Sequence, residues 1–392
     1  MAKTAVMEGS LAVAHAVASC RPQVITAYPI SPQTHIMEEL AKFTANGELK
    51  AKYIRVDSEF SAASAIFGSS ATGARSYTAS SSQGLLLMTE VIYAMAGTRL
   101  PVVLTGVNRT ISAPITIQVD HQDTMALRDT GMIQLYVENA QEAYATHIQA
   151  FKLAEDHDIL LPTMVCMDGW VLTHSFEQIK LADQNLIDQY LPPFAPKYRL
   201  DPKNPLTYGA IANDEVPEFR IMIHEAMERA LGKIDALALE YQKMFGDYFG
   251  GVIETYKCED AKTVIVAMGS IIGTIKEAVD ALRERGEKVG VVKVRSYRPF
   301  PGAALFDALK GADTVAVIDR SLSIGKSGPL AGDLKSYFYG KRGPRVFSFI
   351  AGMGGRDVTM GTIDSMIEKI KATETADLPD VDFFDVKRQY LD

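Results

Sequence analysis

The chain has 392 residues, of which 47% are hydrophobic and 22% charged, a composition typical of a globular protein of two or three domains. Its net charge of −8 argues against general affinity for nucleic acids. It has no signal-peptide pattern, no apolar run of about 18 residues and no Cys-x-x-Cys pair. We therefore expect a cytoplasmic protein with reduced cysteines, no membrane span and no iron–sulfur or zinc motif of its own.

Strand-like and helical patterns alternate through the first part of the chain. Apolar runs predict the strands, and periodicities near 3.6 residues predict the helices between them. The predicted strands are 24–28, 53–56, 75–79, 101–105 and 160–166, and the predicted helices are 34–45, 59–72, 85–97 and 141–157. This alternation indicates an α/β fold with a parallel sheet covered on both faces.

Residues 175–215 interrupt the alternation with two proline-rich stretches, which predict a surface arm or linker. A long amphipathic helix is predicted at 218–245. A second α/β unit with a polar, acidic tail follows, which divides the chain into domains 1–250 and 251–392. Its predicted strands are 263–269, 289–294, 314–319 and 345–350.

Three polar segments, 28–32, 57–59 and 108–110, each follow an apolar strand-like run. Parallel sheets bind ligands beyond the carboxyl ends of their strands, so we expect these segments to meet there. Together they offer a hydroxyl, a carboxylate and a guanidinium, which suit a cofactor-assisted reaction on a small anionic substrate. The chain lacks most other parts of such a site and is expected to supply half of one.

Glu59 opens the predicted helix 59–72, and Ser58 before it has the side chain of a good N-cap. The helix dipole favours a glutamate in the first turn, so the local pattern alone suits a structural role. The functional alternative is a glutamate at the edge of the sheet that hydrogen-bonds a ring nitrogen of a cofactor. Burial would raise the pKa of this carboxyl, and the helix terminus would lower it.

Arg109 and Ser31 also allow two interpretations each. Arg109 ends a strand-like run, where it forms either a salt bridge or a fork for a substrate carboxylate. Ser31 precedes Pro32, which disfavours helical dihedrals, and it either caps the helix 34–45 or donates its hydroxyl to a substrate oxygen.

Other polar or glycine-rich segments give weaker functional signals. Residues 79–84 form either a tight strand–helix turn or an anion nest, without the lysine of a Walker loop. Residues 120–123 place an imidazole among carboxylates, a pattern that favours a polar loop over a metal site. Asp319 and Arg320, and the segment 352–357, end strands of the second unit without a catalytic set.

Motifs in both units follow one another in a specific order. They are 27–32, 79–88, 108–109, 112–114, 120–123, 128–131, 295–301 and 354–357. Over essentially the whole chain these motifs resemble the alpha subunit of the 2-oxoacid:ferredoxin oxidoreductases, especially the pyruvate:ferredoxin oxidoreductase (pyruvate synthase) group. The resemblance implies a thiamine-diphosphate-binding pyrimidine-type domain followed by a transketolase C-terminal-like domain.

The resemblance also implies the reaction and the roles of four residues. The family converts a 2-oxoacid and coenzyme A into acyl-CoA and CO2, with thiamine diphosphate as the electron sink and electrons leaving through iron–sulfur clusters. Glu59 should hydrogen-bond the aminopyrimidine ring and promote the reactive ylid. Arg109 and Ser31 should hold the substrate carboxylate and keto oxygen, and Pro29 should contact the cofactor through its backbone.

The remaining parts of the site are implied to lie on partner chains. This sequence has no Gly-Asp-Gly motif and no cluster cysteines. A beta subunit should bind the diphosphate and Mg²⁺. Gamma and ferredoxin-like delta subunits, iron–sulfur clusters, and ferredoxin or another acceptor should complete the electron path. No nucleic acid or membrane is expected as a partner.

The sequence leaves alternatives open for the substrate and for the class of function. Pyruvate is the leading substrate. Many pyruvate-type relatives have threonine in place of Ser31 and tryptophan near Gln118 and at Met132. The smaller residues here could widen the pocket. The alternative substrate is therefore an aryl or branched 2-oxoacid such as phenylglyoxylate, with NAD or ferredoxin as acceptor. The Ser31 hydroxyl argues against oxalate. A non-catalytic structural subunit and a transketolase-like enzyme without electron transfer are the rival classes.

Overall fold

The computed structural model describes residues 3–209, 211–373 and 379–391. In these residues the chain forms two α/β units, each built on a mainly parallel sheet, and an additional two-stranded sheet. The predicted α/β fold class is confirmed. No helix in this part of the chain is both long enough and apolar enough to cross a membrane.

The strands of the described residues are spread over the whole length of the chain. They are β1 (Lys3–Glu8), β2 (Val24–Ala27), β3 (Lys52–Arg55), β4 (Ser76–Ser80), β5 (Val103–Asn108), β6 (Ile133–Tyr136), β7 (Thr163–Asp168), β8 (Phe176–Leu181), β9 (Ile253–Tyr256), β10 (Thr263–Ala267), β11 (Val289–Val294), β12 (Ser296–Arg298), β13 (Thr314–Asp319), β14 (Arg345–Ile350) and β15 (Asp382–Phe383).

The helices alternate with these strands through most of the chain. They are α1 (Gly9–Ser19), α2 (Thr34–Ala45), α3 (Glu59–Ala71), α4 (Ser82–Leu87), α5 (Thr89–Gly97), α6 (Gln122–Met125), α7 (Ala140–Glu155), α8 (Gln184–Tyr190), α9 (Val216–Phe245), α10 (Ile271–Glu284), α11 (Gly302–Leu309), α12 (Pro329–Phe338) and α13 (Met360–Ala372).

The first sheet has the strand order β12-β6-β7-β5-β4-β2-β3, and only β12 runs antiparallel to its neighbour. β5 is buried along its whole length, which explains its apolar sequence, because elements on both faces cover the sheet. The carboxyl ends of β2, β3, β4 and β5 lie together, and we call them the site edge. The segments 28–32, 57–59 and 108–110 all follow these strands, as predicted.

The second sheet has the strand order β15-β14-β13-β10-β11-β9, with β9 antiparallel and the other strands parallel. α10 packs on it through a buried stripe that includes Ile272, Ile275, Val279 and Leu282, at helical spacing. This second unit contacts the first sheet through β12.

The two units are joined by a strand and by buried charges. β12 follows β11 of the second sheet but pairs with β6 of the first. Lys293, in β11, lies 3.2 Å from Glu142 and 2.5 Å from Glu254, and these carboxylates outweigh burial and raise its pKa. β12 belongs to the predicted second domain but pairs with a strand of the predicted first domain. The division of the chain at residue 250 therefore stays a prediction.

Several predicted boundaries need correction. The predicted arm at 175–215 is irregular only in part, because β8 and α8 occupy its beginning and β8 pairs with the unpredicted strand β1. The predicted helix 85–97 is interrupted at Met88, between α4 and α5. The long helix is confirmed as α9, and it ends at Gly246, whose φ of 90° is readily adopted only by glycine.

Candidate active site

Glu59 begins α3 at the site edge, after the short loop that follows β3. Ser58 is the N-cap, as predicted, and its hydroxyl accepts a hydrogen bond from the Ser61 N–H at 3.2 Å. Glu59 is only 7% exposed. Within the described residues, no group donates a hydrogen bond to its carboxylate. Since a buried polar group without a partner is costly, this carboxylate is suited to a ligand that completes it.

The first turn of α4, which follows β4 closely, makes room for this carboxylate. A Cβ at Gly84 would lie 2.6 Å from Glu59 Oε1 and 2.5 Å from Ser80 Oγ, so glycine alone fits there. The Ser80 and Ser81 hydroxyls are buried and, in the part of the chain that is described, have no hydrogen-bond partner. The turn therefore brings further unsatisfied polar groups to the site edge.

Arg109 follows β5, and its side chain reaches the loop after β2. Its Nη1 donates to the Ser31 carbonyl at 2.5 Å, and its Nη2 donates to Gln83 Oε1 at 3.2 Å. The residue is 6% exposed, and burial lowers the pKa of the guanidinium, which stays charged at neutral pH. No carboxylate among the described residues pairs with it, so the predicted salt-bridge alternative is not found there. A buried, unpaired cation fits an anionic ligand.

Ser31 and Pro29 lie in the loop between β2 and α2, where both are exposed. The N-cap of α2 is Gln33, so the predicted capping alternative for Ser31 is wrong. The Ser31 carbonyl accepts the Arg109 hydrogen bond, which ties this loop to the end of β5. No side-chain hydrogen bond involves the Ser31 hydroxyl in the described structure, which leaves it available to a ligand.

Asp123 is a site component that the sequence did not reveal. The residue is fully buried, and its carboxylate accepts hydrogen bonds from the Ser82 N–H, the Arg109 N–H and Asn108 Nδ2, all at 3.0 Å. Burial raises the pKa of Asp123 to about 7, although these donors lower it. Asp123 thus joins the turn after β4 to the turn after β5. Its position in a polar cluster had suggested only a loop.

The second unit supports the loop that follows Arg109. The Gly355 N–H donates to the Val119 carbonyl at 2.9 Å, and a Cβ at Gly355 would lie 2.4 Å from the Gln118 side chain. Met132 is instead fully buried just before β6, at the opposite edge of the parallel sheet. The prediction that Met132 marks a widened pocket is therefore wrong, whereas Gln118 lies on the loop that follows Arg109.

The site edge fits the aminopyrimidine half of thiamine diphosphate. The Glu59 carboxylate is a buried acceptor, and the missing side chain of Gly84 leaves space beside it. Such an acceptor suits the donors of a nitrogenous ring. In residues 3–209, 211–373 and 379–391, no cluster of three or more His, Cys, Asp or Glu could hold a metal ion. Chemically, the edge can hold a proton at Glu59 and bind an anion at Arg109.

The chain is similar to known proteins over nearly its whole length. Residues 15–238 match the family model described as pyruvate flavodoxin/ferredoxin oxidoreductase, thiamine diphosphate-binding. Residues 261–363 match the pyruvate:ferredoxin oxidoreductase core domain II. The pyruvate synthase subunit PorA of Methanosarcina barkeri is 49% identical, over 99% of this chain and 98% of that protein. The ketoisovalerate oxidoreductase subunit VorA of Pyrococcus horikoshii is 42% identical, over 98% of both chains.

A solved structure shares the fold. It is the 2-oxoglutarate:ferredoxin oxidoreductase from Magnetococcus marinus, with a TM-score of 0.72 and 20% sequence identity. The match covers 93% of this chain and 65% of that chain. Taken with the family models and the close relatives, these findings place the chain in the pyruvate flavodoxin/ferredoxin oxidoreductase family, among the alpha subunits of the 2-oxoacid:ferredoxin oxidoreductases.

Proposed function

We propose that this alpha subunit supports the conversion of pyruvate and coenzyme A into acetyl-CoA, CO2, one proton and two electrons, which pass to ferredoxin. The observation that carries the proposal is the pair of buried, unpaired charges at the site edge. Glu59 is 7% exposed and Arg109 is 6% exposed, and one tight turn lies against both side chains. A carboxylate for a cofactor ring and a guanidinium for a substrate carboxylate are what this reaction requires.

Glu59 is assigned to the cofactor side. Thiamine diphosphate, when bound, supplies the electron sink for decarboxylation. The Glu59 carboxylate would hold a proton against the aminopyrimidine ring, and its burial shields that proton from bulk water. Pro29, in the exposed loop after β2, would contact the cofactor through its backbone.

Arg109 and Ser31 are assigned to the substrate side. The guanidinium has no counter-ion in the described structure, so a substrate carboxylate would supply it. The Ser31 carbonyl accepts a hydrogen bond from Arg109 Nη1, which supports a position of Ser31 near the substrate, and its hydroxyl would donate to the keto oxygen. Together these groups would orient the 2-oxoacid with its carboxylate towards Arg109.

Partner chains complete the proposal. A beta subunit would bind the diphosphate and Mg²⁺, and gamma and ferredoxin-like delta subunits would carry the iron–sulfur clusters. The relatives' subunit names support a multi-subunit assembly. A cytoplasmic location agrees with the three free cysteines, two of which are buried. The thiamine-type domain is proposed to cover 1–250 and the transketolase-like domain 251–392.

A branched 2-oxoacid is the second candidate substrate. The VorA relative is 42% identical, close to the 43% of the pyruvate synthase subunit PorA of Pyrococcus furiosus, so overall similarity separates the two substrates only weakly. An aryl acid such as phenylglyoxylate, with NAD or ferredoxin as acceptor, would also require a wider pocket. Gln118, on the loop that follows Arg109, is the residue at which such a difference is expected.

The test is substrate profiling of the purified complex. Dye reduction that depends on both CoA and the 2-oxoacid is measured with pyruvate, 2-oxoisovalerate, phenylglyoxylate and oxalate. A preference for pyruvate supports the proposal, and a preference for 2-oxoisovalerate or phenylglyoxylate replaces it with the second candidate. Absence of turnover with every acid, in the presence of thiamine diphosphate and Mg²⁺, contradicts the oxidoreductase function.

A further inference from the structure

Gln83 lies in the first turn of α4, just after β4, between Ser82 and Gly84, and it is exposed at the site edge. It contacts the guanidinium assigned to the substrate: Arg109 Nη2 donates to Gln83 Oε1 at 3.2 Å. A guanidinium has donors only, so the oxygen of the amide, not its nitrogen, must face Arg109. The orientation of the Gln83 amide is therefore fixed by chemistry.

This orientation directs the Gln83 NH2 group away from Arg109. In the described part of the chain, that group has no acceptor, although the oxygen of the same amide contacts both Arg109 and the Ser82 hydroxyl. An unused donor thus lies on the same side chain that holds the guanidinium. A carboxylate has two oxygens with several lone pairs, so one bound to Arg109 can also accept a hydrogen bond from this donor.

The backbone holds Gln83 in place at a cost. Ser82 has φ of 53°, a left-handed conformation that is unfavourable for a residue with a Cβ. The Ser82 N–H donates to Asp123 at 3.0 Å, and the Ser82 hydroxyl lies within hydrogen-bond distance of both the Thr110 carbonyl and Gln83 Oε1. Such a strained and tethered turn fits a role in positioning the side chain that follows it.

We propose that Gln83 is a substrate-binding residue, which orients the Arg109 guanidinium through its Oε1 and donates its NH2 group to the carboxylate of the 2-oxoacid. This inference rests on the proposed function, because it assigns the anion to the substrate. It predicts that the carboxylate is held by three groups, two from Arg109 and one from Gln83, rather than by the arginine alone.

The decisive variant is Gln83→Glu, which keeps the shape of the side chain but changes its chemistry. The new carboxylate would pair with Arg109, remove its affinity for an anion and delete the free donor. In the reconstituted complex we expect the KM for pyruvate and the inhibition constant of oxamate, an unreactive 2-oxoacid analogue, to rise by at least about 100-fold. The effect on kcat should be smaller, since the change acts on binding.

Two further variants keep the inference testable if Gln83→Glu disturbs folding. Gln83→Met removes the donor without adding a charge, and both constants should rise about 10- to 100-fold, the usual cost of a hydrogen bond to a charged group. Gln178→Glu adds the same charge to the exposed face of β8 and should change neither constant. Melting temperatures of all the complexes establish that each variant is folded.

The outcomes separate the inference from the proposed function. Increased constants for both Gln83 variants, with the Gln178 variant like wild type, support the role of Gln83. A wild-type complex that turns over pyruvate, with unchanged constants in folded Gln83→Met, overturns the inference and leaves the proposed function intact. A wild-type complex that turns over no 2-oxoacid overturns both.

Discussion

Two regions at the carboxyl ends of the strands use their buried charges differently. At the site edge, Glu59 and Arg109 are at most 7% exposed, and neither is paired with an opposite charge in the described part of the chain. Where the two sheets meet, His121, Asp168, Ser270 and Arg320 form a closed cluster, which we call the junction.

The junction is saturated with partners. Asp168, at the end of β7, lies 2.7 Å from His121 Nε2 and 2.7 Å from Arg320 Nη1, and it accepts a hydrogen bond from the Ser270 N–H at 2.9 Å. Burial opposes ionisation of Asp168, but His121 and Arg320 outweigh it and hold the pKa well below its usual range. Buried charged residues are thus paired with each other at the junction and left without charged partners at the site edge, which supports the proposal that the site edge binds a ligand.

The largest expected effect is on the rate, in Glu59→Gln. Glutamine keeps the volume but cannot hold or accept a proton, so kcat in the reconstituted complex should fall on the order of 10²- to 10⁴-fold. The unfolding midpoint should change little, because no hydrogen bond to the carboxylate is present in the described structure. Steady-state kinetics and urea unfolding measure the two quantities.

The control for that variant is Glu90→Gln. Glu90 also lies in the first turn of a helix, α5, but it is exposed. The Glu90→Gln variant should retain full activity, and its free energy of unfolding should fall by at most about 1 kcal/mol, because the helix dipole loses a favourable charge. If Glu59→Gln behaves like Glu90→Gln, the structural interpretation of Glu59 is right and the site edge is not catalytic.

Variants at the junction should lower the stability of the protein, whereas Glu59→Gln should lower its rate. Arg320→Met leaves the Asp168 carboxylate buried with one fewer partner, so the free energy of unfolding should fall by about 3–5 kcal/mol. Arg21→Met breaks a pair whose side chains are 62% and 40% exposed and should cost less than about 1 kcal/mol. A junction variant as stable as the Arg21 variant would remove the distinction between the two regions.

A smaller effect is expected for Arg109→Lys. The lysine keeps the charge but loses the forked donors, so kcat/KM for pyruvate should fall about 10- to 100-fold. Stability should fall slightly, since lysine remains a buried cation without an ion pair and loses the guanidinium hydrogen bonds to Ser31 and Gln83. Arg342→Lys, at an exposed position, is the matched control. Equal kcat/KM values for the two variants would contradict a substrate contact at Arg109.

The sequence predicted the site edge because its signals are local. Glu59 and Arg109 each follow an apolar strand-like run, and the alternation of strands and helices predicts that parallel strands bring their carboxyl ends together. The resemblance then assigned roles that composition and spacing alone left open. β1 and β8 were missed because both are largely exposed and pair across the first unit.

Residues whose roles depend on distant contacts were not predictable from the pattern. Gln83 meets Arg109 across 26 positions of the chain, and Asp123 meets Ser82 across 41. Met132 was misplaced because sequence position does not tell which edge of the sheet a residue occupies until the strand β6 after it is known. Burial and partner number, which decide between assembly and ligand binding, follow only from the packed structure.

The smallest expected effect concerns Asp319, beside the junction at the end of β13. Its carboxyl accepts hydrogen bonds from the Leu330 and Ala331 N–H groups at 2.9 and 3.1 Å, but burial raises its pKa to about 7. Between about pH 4 and pH 7 the native state thus keeps a proton that the unfolded chain has released, so stability falls as the pH rises and levels off above 7. Asparagine does not titrate. Between about pH 5 and pH 7, the free energy of unfolding of wild type should therefore fall by at least about 1 kcal/mol more than that of Asp319→Asn. Urea unfolding at both pH values measures this difference. Equal slopes would mean that Asp319 ionises in its ordinary range, and that a satisfied carboxyl next to the junction is no harder to charge than an exposed one.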